Sequence, residues 1–230
     1  MKLVLFDIDG TLMDSGGAGR RALEYSFEEL FGVPDAFRKI SMSGKTDPQI
    51  FAEALAQFGI AMDGHGPLFM KTYIKHLERE IDNPGKELKP GVSEALRELS
   101  GMGNVSLGLL TGNYEQGARI KLGALGVWEY FGFGAYGSDD ADRDKLLPYA
   151  LKRFEALKGF KSSYNDCVVV GDTPRDVSCA KPYGAATVAV ATGKYSIHEL
   201  SSSGADHVLE DLSDLNRFLG CLGVKGWRLG

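Results

Sequence analysis

The chain has 230 residues, of which 43% are hydrophobic and 25% charged, and a net charge of −5. This length suits one large domain or a core with a smaller insert. The acidic balance argues against a non-specific nucleic-acid binder, so an anionic substrate would need local cations or a metal.

Residues 3–8 form a nearly continuous apolar run, the pattern of a strand covered on both faces. From about residue 14 to residue 87 the pattern is helical, with no strand signal. Ala22, Leu23, Phe27, Leu30 and Phe31 mark one amphipathic helix. Asp47 followed by Pro48 predicts an N-cap and a proline at the first helical position, leading into Ile50, Phe51, Leu55 and Phe58. Leu68, Phe69, Tyr73, Ile74, Leu77 and Ile81 fit a third helix.

After Lys89-Pro90-Gly91 a β/α alternation resumes. Strands are predicted at 105–110, 167–170 and 187–190, and helices at 92–99, 114–125, 146–157, 174–183 and 212–219. The alternation implies right-handed crossovers and an α/β fold. The expected architecture is a Rossmann-like parallel sheet core over residues 1–13 and 88–230. An all-helical cap over residues 14–87 is inserted in it, hinged near 11–17 and 83–90.

Cys167, Cys179 and Cys221 are an odd number at wide spacings, which suggests no disulfide framework and fits a reducing compartment. The four histidines are scattered, so a zinc cluster has no support. No apolar run approaches a membrane span or a signal-peptide core. The expectation is a cytoplasmic protein with no membrane partner, a monomer or weak homodimer.

Ligands of open α/β sheets sit at the carboxyl ends of the strands, and reactive residue types follow the apolar runs here. Strand one ends in Asp7-Ile8-Asp9-Gly10-Thr11. Two carboxylates so close repel unless a cation neutralises them, although Asp9-Gly10 is also ordinary turn chemistry. The second strand ends in Thr111-Gly112-Asn113, where a hydroxyl and backbone amides suit phosphate oxygens; a plain helix cap is the competing reading. The strand at 167–170 leads into Gly171-Asp172-Thr173-Pro174-Arg175-Asp176. Asp176 lies one turn beyond Asp172, able to face the same cleft or to complement a helix dipole. The cation that such a site needs lies in Asp142-Arg143-Asp144-Lys145. Acidic pair, hydroxyl, cation and acid thus arrive in order at successive strand ends.

Asp7-Ile8-Asp9-Gly10-Thr11-Leu12 resembles the first motif of the haloacid dehalogenase-like hydrolase superfamily, Thr111 its second, and residues 171–176 its fourth. The likeness covers nearly the whole chain, and the helical insert resembles the cap of the phosphoglycolate-phosphatase-like branch. The third motif departs from the family's usual Lys-Pro. Register on Pro148 selects Arg143, and register on the lysine itself selects Lys145; the first is favoured. The resemblance implies Asp7 as nucleophile, Asp9 as acid and base, and Mg²⁺ held by Asp7, the Asp9 carbonyl and Asp172. It assigns the phosphoryl group to Thr111, the Gly112 or Asn113 amide and Arg143 or Lys145, with Asp176 orienting the cation or a metal-bound water. A small phosphorylated metabolite would be the partner. An acid at position 9 favours phosphate esters, because a departing halide needs no proton.

Two rivals use similar chemistry: a phosphosugar mutase on the same scaffold, and a phospho-accepting signalling domain. Cleavage of a phosphonate would need a cap lysine as amine nucleophile; Lys45 and Lys71 are present, with solvated surface as the plainer reading. Ser43-Gly44-Lys45-Thr46 resembles the end of a P-loop, but position 39 is lysine where the loop needs glycine. Gly16-Gly17-Ala18-Gly19 lacks the preceding strand of a dinucleotide fingerprint. Gly44, Lys45, Thr46, Arg20 and Arg21 could line the cleft from the cap, with ordinary loop and helix-surface roles as the plainer reading of each.

Overall fold

The computed structural model describes residues 1–224. In chain order, β1 (Lys2–Phe6) and β2 (Met13–Ser15) precede three helices, α1 (Ala18–Phe31), α2 (Asp47–Gln57) and α3 (His65–Glu80), and then β3 (Lys86–Leu88). The chain continues through α4 (Val92–Ser100), β4 (Val105–Leu110), α5 (Glu115–Gly123), β5 (Phe133–Ala135) and α6 (Leu146–Lys158). It ends with β6 (Cys167–Gly171), α7 (Pro174–Ala180), β7 (Ala186–Val190), α8 (Ile197–Ser202), β8 (His207–Leu209) and α9 (Leu215–Cys221).

Six strands form one parallel sheet in the order β5-β4-β1-β6-β7-β8. The apolar runs are continuous because side chains alternate between two buried faces. Val4 and Phe6 pack with α4 and α9 through Leu96, Leu99 and Phe218, whereas Leu3 and Leu5 pack with α6 and α7 through Leu147, Phe154 and Cys179. The strand order runs outward from β1 to β4 and β5 on one side and to β6, β7 and β8 on the other. The crevice at the carboxyl ends of β1, β4 and β6 is therefore the topological switch point, where α/β sheets bind ligands.

The helices between β2 and β3 enclose an aromatic interior. Phe51 and Phe69 stack with centroids 3.9 Å apart, and Phe27 meets Phe37 edge-on at 5.5 Å. All four rings are essentially buried, each worth about 1.5–3 kcal/mol in area removed from water. Among the described residues, no helix is long and apolar enough to cross a membrane.

The structure corrects several local expectations. Residues 14–87 were expected to lack strands, yet β2 and β3 pair antiparallel, Met13 with Leu88 and Ser15 with Lys86. Three-residue strands so far apart in sequence leave no periodic signal. Residue 47 is not the N-cap of α2: Thr46 holds that place in extended geometry and accepts from the Gln49 amide at 3.2 Å, while Asp47 opens the helix. Strands β5 and β8 and helix α8 lie outside the predicted elements. Of the predicted helix 174–183 only Pro174–Ala180 is α-helical, the rest being a 3-10 turn.

Candidate active site

After β1 the ladder continues one residue further, the Asp7 amide donating to the Val170 carbonyl at 2.9 Å. The chain then folds back, with the Leu12 amide reaching the Ile8 carbonyl at 2.9 Å. Gly10 turns this corner at φ 84°, and a Cβ there would collide with the Asp172 carboxylate. The bend keeps Asp7 under the sheet edge and lifts Asp9 into the cleft; their side chains are 7% and 43% exposed.

Carboxylate oxygens of Asp7, Asp172 and Asp176 lie within 4.8 Å of one another, all three residues buried. Arg143 joins them. Its Nη2 lies 3.2 Å from Asp7 Oδ1, ion-pairs Asp176 Oδ1, and donates to the Leu110 carbonyl at 3.3 Å. Burial works against the guanidinium charge, but Asp176 and Asp7 outweigh it and hold its pKa above the ordinary value. Arg143 Nε has no partner, alone among the buried side-chain polar atoms of the described residues. An unpaired buried donor on a cation fits an anionic ligand.

Burial, with Asp176 and Asp9 adding to it against Arg143, pushes the Asp7 carboxyl up to about 6. Burial, Asp176 and Asp7 push Asp172 up to about 8. The Asp172 carboxylate receives one hydrogen bond, from Thr11 Oγ1 at 3.1 Å, which leaves most of its lone pairs open. Crowded, under-bonded carboxylate oxygens are the donor set of a hard divalent cation.

Asp176 also closes α7. Its Oδ2 accepts from the Thr173 amide at 2.9 Å and hydroxyl at 2.8 Å, while Thr173 Oγ1 accepts from the Asp176 amide in return. It is thus both helix cap and partner of Arg143, so the two sequence readings coexist.

Across the cleft, Asp9 Oδ2 accepts from Lys121 Nζ at 2.6 Å and from Asn113 Nδ2 at 2.9 Å. Asn113 Nδ2 also donates to Thr111 Oγ1 at 2.9 Å, and its Oδ1 accepts from Lys121 at 2.6 Å. Neither Thr111 nor Asn113 caps α5. The residue at the cap is Tyr114, with no side-chain bond of its own, and its amide donates to Asp47 of α2 at 2.8 Å. The Gly112 carbonyl accepts the Asp47 amide at 2.8 Å, so α2 docks on the loop after β4.

A cleft of about 490 Å³ opens over these groups, lined from the core by Asp7, Asp9 and Lys121 and from the helices by Leu23, Ile50 and Tyr73. Lys145, the alternative cation, stays outside the cluster. Its side chain is 61% exposed and lies 3.6 Å from Asp142. Arg143 and Lys145 share one 3-10 turn, and residues two apart on such a turn face different ways.

The family model of the haloacid dehalogenase-like hydrolases matches residues 4–190. The chain belongs to this family. It is similar to the phosphoglycolate phosphatase of Rhodospirillum rubrum, 30% identical over 235 residues that cover 100% of this chain and 95% of that protein. Pyrophosphatase PpaX of Oceanobacillus iheyensis is 24% identical over 221 residues, 96% of this chain and 97% of that one. Two solved structures share the fold. A hydrolase from Pseudomonas syringae superposes with TM-score 0.74 at 24% identity, covering 96% of this chain and 98% of its own. CbbY from Rhodobacter sphaeroides, in complex with phosphate, gives 0.75 at 19%, covering 97% and 100%. The chain is an enzyme of the hydrolase class.

In this hydrolase Asp7, Asp9, Gly112, Asn113, Arg143 and Asp172 line one cleft, Thr111 and Asp176 lie buried against Asn113 and Arg143, and Lys145 stays outside. Sequence reasoning missed Lys121, Thr11, Asp47 and Thr173, all close to the charged groups. Only Lys121 left a signal: with Gly117, Ala118 and Leu122 it occupies the buried stripe of α5, where a lysine is out of place. Of the cations between β2 and β3, Lys45 ion-pairs Glu53 at the cleft, Arg20 donates to the Phe37 carbonyl, and Arg21 holds Glu80. Lys71 is exposed.

Proposed function

We propose that this hydrolase is a Mg²⁺-dependent phosphatase that cleaves a small phosphate monoester through an aspartyl-phosphate on Asp7. The observation that carries this reading is the separation of Asp7 from Asp9. One carboxylate is buried beside a guanidinium and two further acids, and the other is half-exposed across the same cleft.

Asp7 attacks phosphorus while the ester oxygen leaves with a proton from Asp9. Asp9 then takes a proton from the water that attacks the phosphoryl group, and Asp7 is regenerated. Arg143, the Thr111 hydroxyl and the Gly112 or Asn113 amide hold the phosphoryl oxygens; the unpaired Arg143 Nε supports the guanidinium's part. Asp176 holds Arg143 in place. Asp7, the Asp9 carbonyl and Asp172 would bind Mg²⁺, with Asp176 within reach of the same set. The ion's contribution when bound is to shield Asp7 from the phosphate's charge. The need for an acid at position 9 favours an ester oxygen over a halide as leaving group.

On this reading, residues 14–87 act as a cap that excludes bulk water and selects the substrate, and residues 1–13 and 88–230 carry the chemistry. Phosphoglycolate or a similarly small ester is the proposed substrate, supported by the R. rubrum relative. A cytoplasmic monomer or weak homodimer with no nucleic-acid partner completes the proposal.

The test is a phosphate-release screen over small esters with Mg²⁺ and with EDTA. Mg²⁺-dependent release supports the reading. An isomerised sugar phosphate without inorganic phosphate would replace it with a mutase, and a stable phospho-Asp7 without turnover would replace it with a signalling domain.

A further inference from the structure

Lys121 is 3% exposed, and it donates to two acceptors, Asp9 Oδ2 and Asn113 Oδ1, each at 2.6 Å. Placing an ammonium in the interior costs several kcal/mol unless it is paired. A leucine or methionine would fill that place on the α5 stripe at no such cost. Helix α1 approaches as well, for a Cβ added at Gly19 would lie 3.2 Å from Nζ.

The donor and acceptor chemistry of this group has one solution. An ammonium only donates, so the Asn113 amide must present its oxygen to Lys121 and its nitrogen to Asp9 and Thr111. The Thr111 oxygen is then an acceptor from Asn113, and its own hydrogen is released to the other side. The hydroxyl favours the charged form of Asp7. Both bonds to Asp9 land on Oδ2, and no donor among the described residues meets Oδ1.

We infer that Lys121 is a positioning residue for the reaction. It pins the Asn113 amide and the Asp9 carboxylate so that Oδ1 carries the transferred proton and the Thr111 hydroxyl donates to the phosphoryl group. As the bond from phosphorus to the ester oxygen breaks and the bond to Asp7 forms, the proton on Oδ1 passes to the departing oxygen. Lys121 keeps its own three protons throughout. The inference rests on the phosphatase reading above.

The experiment compares kcat/KM, which reports the steps through departure of the leaving group, for two esters. One is 2-phosphoglycolate, or the fastest alkyl ester of the screen, whose alkoxide needs a proton. The other is 4-nitrophenyl phosphate, whose phenolate leaves without one. Lys121→Met should lower kcat/KM by about 100-fold on the alkyl ester, within the range of a lost acid catalyst, and by less than about tenfold on the aryl ester. Lys121→Ala should regain part of the alkyl activity on addition of ethylammonium, since Lys121 lines the open cleft. Equal losses on both esters, or no loss, would overturn the inference. Should Lys121→Met fail to fold, Asn113→Leu breaks the same chain of bonds and is judged by the same ratio. Asp9→Ala in parallel separates the two claims: if it lacks the alkyl-selective loss, the assignment of Asp9 as acid has failed and the inference falls with it, whereas a selective loss in Asp9→Ala without one in Lys121→Met overturns the role of Lys121 alone.

Discussion

Asp7 and Asp9 stand two residues apart on one strand end, yet their surroundings are opposite. Asp7 shares a buried pocket with Asp172, Asp176 and Arg143, where three acids face one internal cation. Asp9 reaches across to the β4 side, where one buried lysine and one amide hold a half-exposed carboxylate. The first side is short of positive charge, whereas on the second Lys121 pairs Asp9 directly. The difference teaches that the nucleophile side is built to receive outside charge, a cation and a phosphoryl group. The leaving-group side needs only to hold one oxygen still.

The contrast can be broken one group at a time. Asp7→Asn removes the nucleophile in nearly unchanged volume and should cut steady-state phosphate release by on the order of 10⁴-fold or more while circular dichroism stays native. Retained hydrolysis would end the aspartyl-phosphate mechanism. Arg143→Ala should lower kcat by roughly 10²–10³-fold and destabilise the fold by about 3–5 kcal/mol, because Asp7 and Asp176 are left buried without their cation. Urea unfolding beside the rate assay reads both effects.

The charge shortage also has a signature in stability. Asp7 and Asp172 are pushed up to about 6 and about 8, so without a divalent cation the folded state holds more protons than the unfolded chain above the usual carboxylate range. Stability contributed by these groups is full at acid pH and is lost as pH rises from about 4 towards 8. In EDTA, Tm should therefore fall across that window, and Mg²⁺ should recover it most at the alkaline end. Asp172→Asn should raise the EDTA Tm at pH 8, by about 2–4 °C for each kcal/mol recovered, and abolish the Mg²⁺ response. A Mg²⁺ response that survives the substitution would place the ion elsewhere. The smallest effect is expected at Lys145→Ala, whose exposed ion pairs are worth about 0–1 kcal/mol, with activity within about twofold of wild type.

Much of the architecture was legible. Strands β1, β4, β6 and β7 announce themselves because burial on both faces demands unbroken apolar runs, and the acids that follow β1 and β6 mark the cleft. Strands β5 and β8, three residues each, are too short to carry a period. The β2–β3 pairing joins segments whose link exists only in space. Helix α8 was open to reading through the capping box of Ser196 and Glu199 and was missed. Helix α2 starts one residue earlier than its capping chemistry predicts: Asp47 is a good capping residue by type, but the core claims its carboxylate for the Tyr114 amide.

What the sequence by itself determined is the order of the longer strands and helices and the reactive residues that follow β1, β4 and β6. Hydrophobic period and turn chemistry are local properties that any short window reveals. What the tertiary structure alone decided is which charges meet. Arg143 rather than Lys145 reaches Asp176, 33 residues on, and Lys121 reaches Asp9 across 112 residues. The direction of a side chain from its turn and the approach of distant elements settle such pairs, and no local pattern encodes either.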